Sequence, residues 1–499
     1  MGRGMSMAVR QRPTVNRDRA AGVMLAQACG DALGAPTEFQ SVPLPADHPV
    51  HMTGGGAFNW APGEWTDDTQ MSIPILQAAQ HAAAEESLLD RLDEIAESWV
   101  AWSRTARDVG IQTRQVLDSG ATTAAGLRAA ASALHQRTGR SAGNGSLMRT
   151  APVALAMFGD PEGTVQAARA ISELTHADPQ AAQACVLWCL GIQHAIEFAE
   201  FNPYSGIDHL PTSSRDFWAA RLHEAEQCDA TDFPNNGWVV HALQAAWSLI
   251  SRTAVPQDDP EANSHPAAHL RLVLQGAARL AGDTDTVGAI AGAMVGARWG
   301  ASAVPASWRR IVHGWPGLTG MDLARTGAAL AAGCDRTGWP LAPRMDYAGS
   351  AATGVLVPHP RDPQVLLGDV LAIEDLPEHV DAVVSLCRMG TSQVPRVPAM
   401  DRIEAWIIDS EVPSMNPHLH FALADTADVI ADLRTEGKTV LIHCVAAQSR
   451  TPTVAAAYAI RHLGVDADTA LAEVCAVLPS AQPNQAFRAA VARMTGATT

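Results

Sequence analysis

Carboxylate side chains stand beside threonine and glycine in two segments that lie far apart in the sequence. One segment is residues 63–69 (GEWTDDT) and the other is residues 282–288 (GDTDTVG). Carboxylate and hydroxyl oxygens are hard ligands that suit Mg²⁺ or Mn²⁺. If the two segments fold together, they could hold a pair of ions about 3.5–4 Å apart. Aspartate and threonine also cap helices, and both segments precede apolar helical runs, so these residues alone leave capping open as the alternative.

A cysteine followed by an arginine carries a second kind of chemistry, in the stretch 440–451 (VLIHCVAAQSRT). The pattern predicts a strand, a loop and then a helix with Pro452 in its first turn. At the end of such a strand, Cys444 would face the N–H groups of the loop and of the helix start, which favours the thiolate. Arg450 can return over the loop and bind two oxygens of one phosphate. A nucleophilic cysteine in a phosphate cradle indicates phosphomonoester hydrolysis through a phosphocysteine.

The elements that must position these residues differ between the two parts of a multidomain chain. From about Arg17 to Trp339, apolar residues recur at three- and four-residue spacing, which predicts one large all-α domain. After Trp339 comes a stretch rich in proline and glycine, and then short apolar runs that alternate with helical patterns. This predicts an α/β domain with a mostly parallel sheet. The expected boundaries are a disordered N-terminus at 1–16, the all-α domain at 17–340, a linker with few obligatory contacts at 341–363 and the α/β domain at 364–499.

Composition excludes several classes of protein. Of the 499 residues, 47% are hydrophobic and 17% are charged, which is enough apolar material for packed cores and unlike a disordered or fibrous chain. The formal net charge of −17, without a basic tail, disfavours a general binder of nucleic acid or of anionic membranes. Eight cysteines without a CxxC pair, together with the lack of an apolar leader, favour the reducing cytoplasm of a bacterium. The cysteines at 185, 189, 387 and 475 are predicted to be core thiols.

Residues 66–69 and 282–286 together resemble the paired metal-binding signatures of the ADP-ribosylglycohydrolase family. Further stretches match that family in the same order along the chain: residues 30–34, 108–110, 143–149, 175–176 and 236–240. The resemblance implies an all-α fold around two divalent cations, Mg²⁺ or Mn²⁺. These ions would hold the ribose hydroxyls beside the scissile N- or O-glycosidic bond and would polarise the sugar and a bound water.

The same resemblance implies roles for individual residues. Glu38 would contact a metal or act as a general acid/base, and Asp67 and Asp108 would be further catalytic carboxylates, although Asp108 could instead cap a helix. The loop at 143–146 offers backbone N–H groups to a diphosphate, and His176 would lie by the adenosine or diphosphate part unless it is structural. The implied metal ligands are Thr66, Asp67, Asp68, Asp283, Asp285 and Thr286, and the implied substrate-binding residues are Gly143, Asn144, Gly145, Ser146 and His176.

The spacing of Cys444 and Arg450 resembles the Cys-x5-Arg signature of the protein tyrosine and dual-specificity phosphatases. Asp409 matches the general acid of that family, and Pro483-Asn484 followed by Phe487 matches a late family element. The resemblance covers roughly residues 353–493. It implies an α/β phosphatase-like fold.

Within the phosphatase-like loop, the resemblance implies that His443 orients the cysteine and that the Thr451 hydroxyl eases departure of the thiolate. Gln448 and Ser449 would help to bind the substrate phosphate. One position departs from the family, because Ala447 stands where glycine is common. Alanine is costly at that position if the backbone needs a positive φ. A loop that binds phosphate without catalysis is therefore an alternative.

The sequence thus predicts a bifunctional hydrolase. The first domain would remove ADP-ribose from a modified protein or small molecule, and the second would remove phosphate from a phosphorylated substrate. We expect no membrane partner, and nucleic acid only as a modified substrate. One rival is a glycohydrolase with an inactive phosphate-binding module, and another is a non-enzymatic structural or regulatory protein, against which the complete aspartate set argues. The two domains could also share one small substrate, such as a phosphorylated ADP-ribose derivative.

Overall fold

The computed structural model describes residues 15–82, 86–333 and 338–497. Most of the N-terminus expected to be disordered therefore lies outside the described residues. Its last residue, Asn16, caps the first helix by accepting a hydrogen bond from the backbone N–H of Arg19.

The first part of the chain is helical, as predicted, apart from one short antiparallel pair of strands, β1 (His313–Gly314) and β2 (Leu318–Thr319). Its helices are α1 (Arg17–Gly34), α2 (Asp67–Gln70), α3 (Ser72–His81), α4 (Leu92–Ser103), α5 (Ile111–Leu117), α6 (Ala124–Thr138), α7 (Ala151–Ala156), α8 (Pro161–Ser172), α9 (Pro179–Phe198), α10 (Thr212–Gln227), α11 (Val239–Arg252), α12 (Ala268–Ala278), α13 (Thr284–Trp299), α14 (Ala306–Ile311) and α15 (Gly320–Ala332).

Helices α1 and α13 run antiparallel at the centre of this domain and touch backbone to backbone. A Cβ atom on Gly30 would lie 2.0 Å from the carbonyl oxygen of Gly288, and one on Gly296 would lie 2.1 Å from that of Gly22. On Gly292 it would lie 2.2 Å from the carbonyl oxygen of Ala26. Only glycine fits at such an approach. The consequence is that the C-terminal end of α1 lies against the N-terminal end of α13, where the predicted acidic ligands begin.

The second part of the chain is an α/β domain, which confirms the predicted fold class. Its five strands have the order β3-β4-β7-β5-β6, and all neighbours are parallel except β3 and β4. The elements are β3 (Leu356–Pro358), β4 (Val365–Gly368), β5 (Ala382–Ser385), β6 (Arg402–Glu404), β7 (Val440–His443), α16 (Leu419–Thr435), α17 (Arg450–Leu463), α18 (Ala467–Val477) and α19 (Gln485–Ala492). Strand β7 is the middle strand of the sheet and is buried along its whole length. The loop that follows it therefore begins at the centre of the edge where the parallel strands end.

The segment expected to be a linker, residues 341–363, forms part of this domain. It contains the edge strand β3, where Pro358 is tolerated because an edge strand has one side without a ladder partner. The buried carboxylate of Asp369 accepts hydrogen bonds from the backbone N–H groups of Thr353 (2.6 Å) and Gly354 (2.8 Å). Proline and glycine residues form the turns on either side of this short strand. The same residues are common in linkers between domains, so the pattern alone does not distinguish the two.

The two domains also share a packed interface, unlike the few contacts expected. The N-terminus of α14 in the first domain points at Asp425 on α16, whose carboxylate accepts from the N–H of Ala306 at 2.9 and 3.1 Å. Arg309 lies 3.3 Å from the same carboxylate, and both side chains are almost fully buried. Ala306 itself packs into the core of the second domain. Helix α14 is therefore shared by both cores.

Among the cysteines predicted to be core thiols, three are buried. Cys185, Cys189 and Cys387 have 1%, 0% and 6% exposure, whereas Cys475 on α18 is only partly buried. Within the described residues, no helix is both long and apolar enough to cross a membrane.

Candidate active sites

The acidic site forms where α1 ends and α2 begins. Asp31, on the last turns of α1, accepts hydrogen bonds from the backbone N–H groups of Thr66 (2.8 Å) and Thr69 (3.0 Å). Its carboxylate therefore fixes the start of α2, which carries Asp67 and Asp68. Asp31 lies in a segment that matches the family, but it was not among the ligands predicted from the sequence. The sequence feature that could have identified Asp31 is an aspartate between small residues on an otherwise apolar helix.

The two acidic segments meet at this point. Ligand oxygens of Asp31, Asp68 and Asp285 all lie within 4.8 Å of one another, and all three residues are buried. The Thr66 hydroxyl lies 3.1 Å from Asp68 Oδ2 and 3.3 Å from Asp285 Oδ2. Thr286 follows on α13, where its backbone N–H donates to Asp285 Oδ1 at 2.8 Å. The arrangement is a cluster of hard oxygen donors built from α1, α2 and α13.

Asp283 joins this cluster to the glycine-rich loop. Its carboxylate accepts from the Asn144 side-chain amide at 2.8 Å, and its backbone N–H donates to Asn236 Oδ1 at 3.1 Å. The same Asn144 amide donates to the carbonyl of Asn236 at 2.8 Å. Asn144 is thus held between two segments of the site, which places the 143–146 loop beside the carboxylates. Asn236 is a further residue to which the sequence analysis gave no role.

Charge repulsion and burial dominate the electrostatics of the site. Burial, and then the charge of Asp285, raises the pKa of Glu38 to about 11. Burial also raises the pKa of Asp108 to about 6, and it holds the pKa values of Asp67 and Asp68 well above their usual range. One oxygen each of Glu38 and Asp68 is buried without a hydrogen-bond partner in the described part of the chain. Buried carboxylates without a neutralising partner require protons or cations. This set of oxygen donors fits hard divalent ions such as Mg²⁺ or Mn²⁺.

His176 lies beneath the glycine-rich loop rather than on its open face. The imidazole is 1% exposed, and its Nδ1 lies 2.7 Å from the Thr175 hydroxyl. A Cβ on Gly143 or Gly145 would lie 3.2 Å from the imidazole ring. Burial, reinforced by the charge of Arg149, holds the pKa of His176 well below its usual range, so the ring is neutral. His176 therefore supports the loop, and the glycines let the two pack closely.

The second site follows β7. Cys444 is 2% exposed, and the loop after it returns to the sheet at the start of α17. Ala447 in this loop has a φ of 54°, so the position does have the left-handed conformation that favours glycine. Next to the cysteine, His443 Nε2 lies 2.6 Å from the Ser385 hydroxyl at the end of β5. Ser385 went unrecognised in the sequence, because only the pairing of β5 with β7 brings it beside His443.

Arg450 lies over the loop at the edge of the sheet. Its Nη1 donates to the carbonyls of Leu386 (2.6 Å) and Ile407 (3.3 Å), which fixes the guanidinium plane. Its Nε is 3.8 Å from Asp409 Oδ2 and has no hydrogen-bond partner among the described residues. The Asn484 amide donates to Asp409 Oδ1 at 3.0 Å. The structure thus brings the cysteine loop, Arg450 and Asp409 together. The Nε side of the Arg450 guanidinium remains able to donate to a bound anion.

The remaining loop residues are held by backbone contacts. The Thr451 hydroxyl donates to the carbonyl of Gly368 on β4 at 3.3 Å, so its role in thiolate departure stays a prediction. Ser449 is buried and its hydroxyl accepts from the backbone N–H of Asn484 at 3.3 Å. Gln448 is exposed, and its carbonyl accepts from the N–H of Gln482 at 2.7 Å. The loop is therefore tied on one side to β4 and on the other to the segment before α19.

Comparison with known proteins matches each part of the chain to one family. Residues 12–338 match ADP-ribosylglycohydrolase, and residues 380–495 match the catalytic domain of dual specificity phosphatases. The chain is 28% identical over 305 residues to an ADP-ribosylarginine hydrolase of Serratia proteamaculans, covering 58% of this chain and 74% of that protein. It is 29% identical over 305 residues to the ADP-ribosyl-[dinitrogen reductase] glycohydrolase of Rhodospirillum rubrum, covering 59% and 90%.

The second domain has its own relative. Dual specificity phosphatase 28 of Mus musculus is 28% identical over 127 residues, which cover 25% of this chain and 76% of that protein. Since the first match spans well over half of the residues and the second spans the α/β domain from just before β5 to its end, the predicted resemblances are confirmed. The chain belongs to the ADP-ribosylglycohydrolase family, and its C-terminal residues 380–495 match the catalytic domain of dual specificity phosphatases.

Proposed function

We propose that the first domain removes ADP-ribose from an ADP-ribosylated protein with the help of two divalent cations, Mg²⁺ or Mn²⁺. The observation that carries this proposal is the convergence of Asp31, Asp68 and Asp285 within 4.8 Å. Two bacterial relatives are named for an ADP-ribosylarginine and for an ADP-ribosyl-protein substrate, which supports a modified protein as the acceptor. The bacterial cytoplasm is the compartment that we propose for this reaction.

Individual side chains of the first domain would divide the work. The cations would be held by Thr66, Asp67, Asp68, Asp283, Asp285 and Thr286, with Asp31 as a further ligand. Bound there, the ions would supply Lewis-acid polarisation of the ribose and of the attacking water. Glu38, whose pKa is raised by burial, can hold a proton at its carboxyl and return it to the leaving group. The 143–146 loop presents backbone N–H groups to the diphosphate, and Asn144 sets the distance between that loop and Asp283.

We further propose that the second domain hydrolyses phosphomonoesters. The Cys444 sulfur attacks phosphorus, the ester P–O bond breaks, and Asp409 gives its proton to the departing oxygen. Water then attacks the phosphocysteine and passes its proton to Asp409, which releases phosphate and regenerates the thiolate. The unpaired Nε edge of Arg450 supports this proposal, since it can grip the phosphoryl oxygens throughout.

A hydrolysis panel tests the first domain. Full-length protein is supplied with ADP-ribosyl-arginine, ADP-ribosyl-serine or ADP-ribosylated nucleic acid, with and without Mg²⁺ or Mn²⁺. We expect release of ADP-ribose from a protein-type substrate that needs the metal and that Asp285→Ala abolishes. Full activity of Asp285→Ala after thorough chelation would contradict the two-metal proposal. Failure of every substrate would favour a structural or regulatory protein.

Alkylation tests the second domain. If Cys444 is the nucleophile, iodoacetate should label it before the other cysteines, and phosphate or vanadate should protect it. Cys444→Ser should end p-nitrophenyl phosphate hydrolysis but keep phosphate binding, because Arg450 and the loop N–H groups remain. An unreactive Cys444 together with no turnover of aryl phosphates or phosphopeptides would favour the alternative, a module that binds phosphate without catalysis.

A further inference from the structure

The phosphatase loop opens into a cavity that both domains build. The cavity has a volume of about 520 Å³, within the range of about 300–1,000 Å³ typical of small-molecule sites. Arg450 and Asp409 of the second domain lie at one end of it. The start of α1 and Ser302, from the first domain, form another wall. Val445 and Arg450 of the phosphate loop thus line a chamber that is partly open to solvent.

Aromatic rings line the chamber beyond the phosphate loop. The rings of Trp339 and Trp406 pack edge to face, with centroids 5.3 Å apart. The Arg388 guanidinium lies over the Trp339 ring at 4.5 Å, and the Tyr347 hydroxyl donates to the Arg388 carbonyl. Flat, polarisable surfaces of this kind bind planar rings by stacking and by cation–π contact.

The charge of the chamber is also unlike that of the whole protein. Arg17, Arg388 and Arg450 line it, although the chain carries a net charge of −17. Among the described residues, two aspartates line the chamber with these three arginines: Asp409 lies 3.8 Å from Arg450, and Asp18 accepts from the N–H and hydroxyl of Ser302 at 2.9 and 2.6 Å. The excess of arginine favours an anionic ligand, and the rings beside it favour one that carries a planar group.

We propose that this phosphatase site acts on small phosphomonoesters of the nucleotide class, with the phosphate at Arg450 and a heteroaromatic ring against Trp339, Trp406 and Arg388. The proposal rests on the proposed phosphatase function and names its substrate class. A phosphorylated polypeptide is the competing occupant. It is disfavoured because residues of the first domain form one side of the chamber. An extended peptide with its phosphate at Arg450 would have to continue through that side.

Binding to full-length Cys444→Ser tests the substrate class without turnover. The probes are adenosine 5′-monophosphate, ribose 5-phosphate and a phosphotyrosine peptide, measured by calorimetry in the presence of a chelator. Only the binding that tungstate displaces is counted, because that fraction belongs to the phosphate loop. We expect the nucleotide to bind at least about tenfold more tightly than either other probe. Equal affinity for the nucleotide and ribose 5-phosphate, or tighter binding of the peptide, would overturn the proposal.

Variants locate the preference in the chamber. Arg388→Ala, made in the Cys444→Ser background, should lower the ratio of nucleotide to ribose phosphate affinity at least about threefold, and Arg388→Gln should do the same if the fold is kept. Arg344→Ala is the matched control, since Arg344 is an exposed arginine of the same domain that pairs with Glu374 and does not line the chamber. An unchanged ratio in both Arg388 variants would also overturn the proposal. Turnover of p-nitrophenyl phosphate by wild type is scored separately. Its absence alongside ring-selective binding would reject the catalytic function and keep the nucleotide site.

Discussion

At the scale of single residues, Ala447 shows how three small free energies balance in the loop after Cys444. Its φ of 54° costs an L-residue about 1–2 kcal/mol relative to the right-handed region. Its methyl group is fully buried in the core of the α/β domain, and burial of one such group is worth about 0.8 kcal/mol. Glycine would remove the strain but would lose the methyl contact and gain about 0.5–1 kcal/mol of unfolded-state entropy. Alanine is therefore an accommodated residue at this position.

A pair of substitutions at this position tests the balance. Ala447→Gly should shift the free energy of unfolding by no more than about 1 kcal/mol and change kcat/KM for p-nitrophenyl phosphate less than about threefold. Ala447→Val should lower kcat/KM more than about tenfold, because a β-branched residue is a true outlier at positive φ. Thermal scans and steady-state kinetics on the two variants measure both quantities. A large gain in rate for glycine would show that alanine strains the loop more than its burial repays.

The carboxylates of the first domain predict a dependence of stability on pH and metal. Without a cation, the pKa values of Asp31 and Asp108 are raised to about 6, and that of Glu38 to about 11, mainly by burial. Below about pH 3 both folded and unfolded chains are protonated at these groups. As the pH rises above about 4, the unfolded chain loses protons that the folded chain retains, so the stability of the metal-free protein falls.

We therefore expect Mg²⁺ to raise the melting temperature more at pH 8 than at pH 5 after chelation. Scanning calorimetry measures the two increments, and NaCl at matched ionic strength separates them from general screening of the acidic chain. Equal increments at both pH values would show that these carboxylates do not bind the ion.

How far the sequence predicts the sites depends on how local each contact is. The Cys-x5-Arg loop and the paired Thr/Asp segments are short and self-contained, so their residue types and spacing marked them as candidates, and the family resemblance then favoured metal ligands over helix caps. Asp31 and Ser385 act through partners that are distant in the chain, at Thr66 and His443 respectively. Periodicity places such residues on a helix or a strand, but it does not show which neighbour the packing brings to them.

At the scale of elements, the contact between α1 and α13 sets the geometry of the acidic site. Gly288→Ala should be strongly destabilising, by about 3 kcal/mol or more, because its methyl would meet the backbone of Gly30, which cannot move aside without separating the helices. Metal binding should weaken with it. Gly276→Ala on α12 is the matched control, since the added methyl there meets the flexible end of Leu249. Thermal scans with and without Mg²⁺ measure both effects, and similar losses in the two variants would contradict the proposed role of close packing.

The junction between the domains makes a second prediction at this scale. Asp425→Ala removes the partner of Arg309 and the cap of α14, and breaking a buried pair of this kind costs about 3–5 kcal/mol. We expect the unfolding of the two domains to separate into distinct calorimetric transitions. Asp432→Ala, on the exposed side of the same helix, should keep the wild-type profile. A single unchanged transition in Asp425→Ala would show that the interface depends on other contacts.

Residues 341–363 show why the sequence pattern predicted a linker where the structure has the edge strand β3. Proline and glycine mark a tether between domains and also the turns around a short edge strand. What distinguishes the two here is Asp369, which binds successive backbone N–H groups from outside the segment. The packing of Ala306 into the core of the second domain also depends on tertiary structure. An alanine on a short helix has no sequence feature that predicts such a contact.

At the scale of the whole molecule, the two sites lie at opposite ends of the α1–α13 pair. Asp18 and Ser302 line the chamber of the phosphatase loop, whereas Asp31 and Asp285 lie at the other ends of these helices. Thirteen residues of α1 separate Asp18 from Asp31, which is about 20 Å at 1.5 Å per residue. The helical core fills the space between, so one small substrate cannot contact both sites at once.

Single-site variants should therefore act independently. Cys444→Ser should keep ADP-ribose release within about twofold of wild type, and Asp285→Ala should keep p-nitrophenyl phosphate turnover within the same range. Both activities are measured on the same preparations, with melting temperatures to confirm folding. Loss of both activities in either variant, with the fold intact, would mean that the sites communicate through the interface.

The separation of the sites also bears on what the cell gains by placing them in one chain. A product released near Asp31 has to travel about 20 Å along the helix pair before it can reach the chamber near Asp18. The fusion instead fixes the ratio of the two domains at one to one. Each polypeptide that is translated carries one domain of each kind, and both disappear together when the chain is degraded, so gene dosage and protein turnover hold the two activities in a fixed proportion.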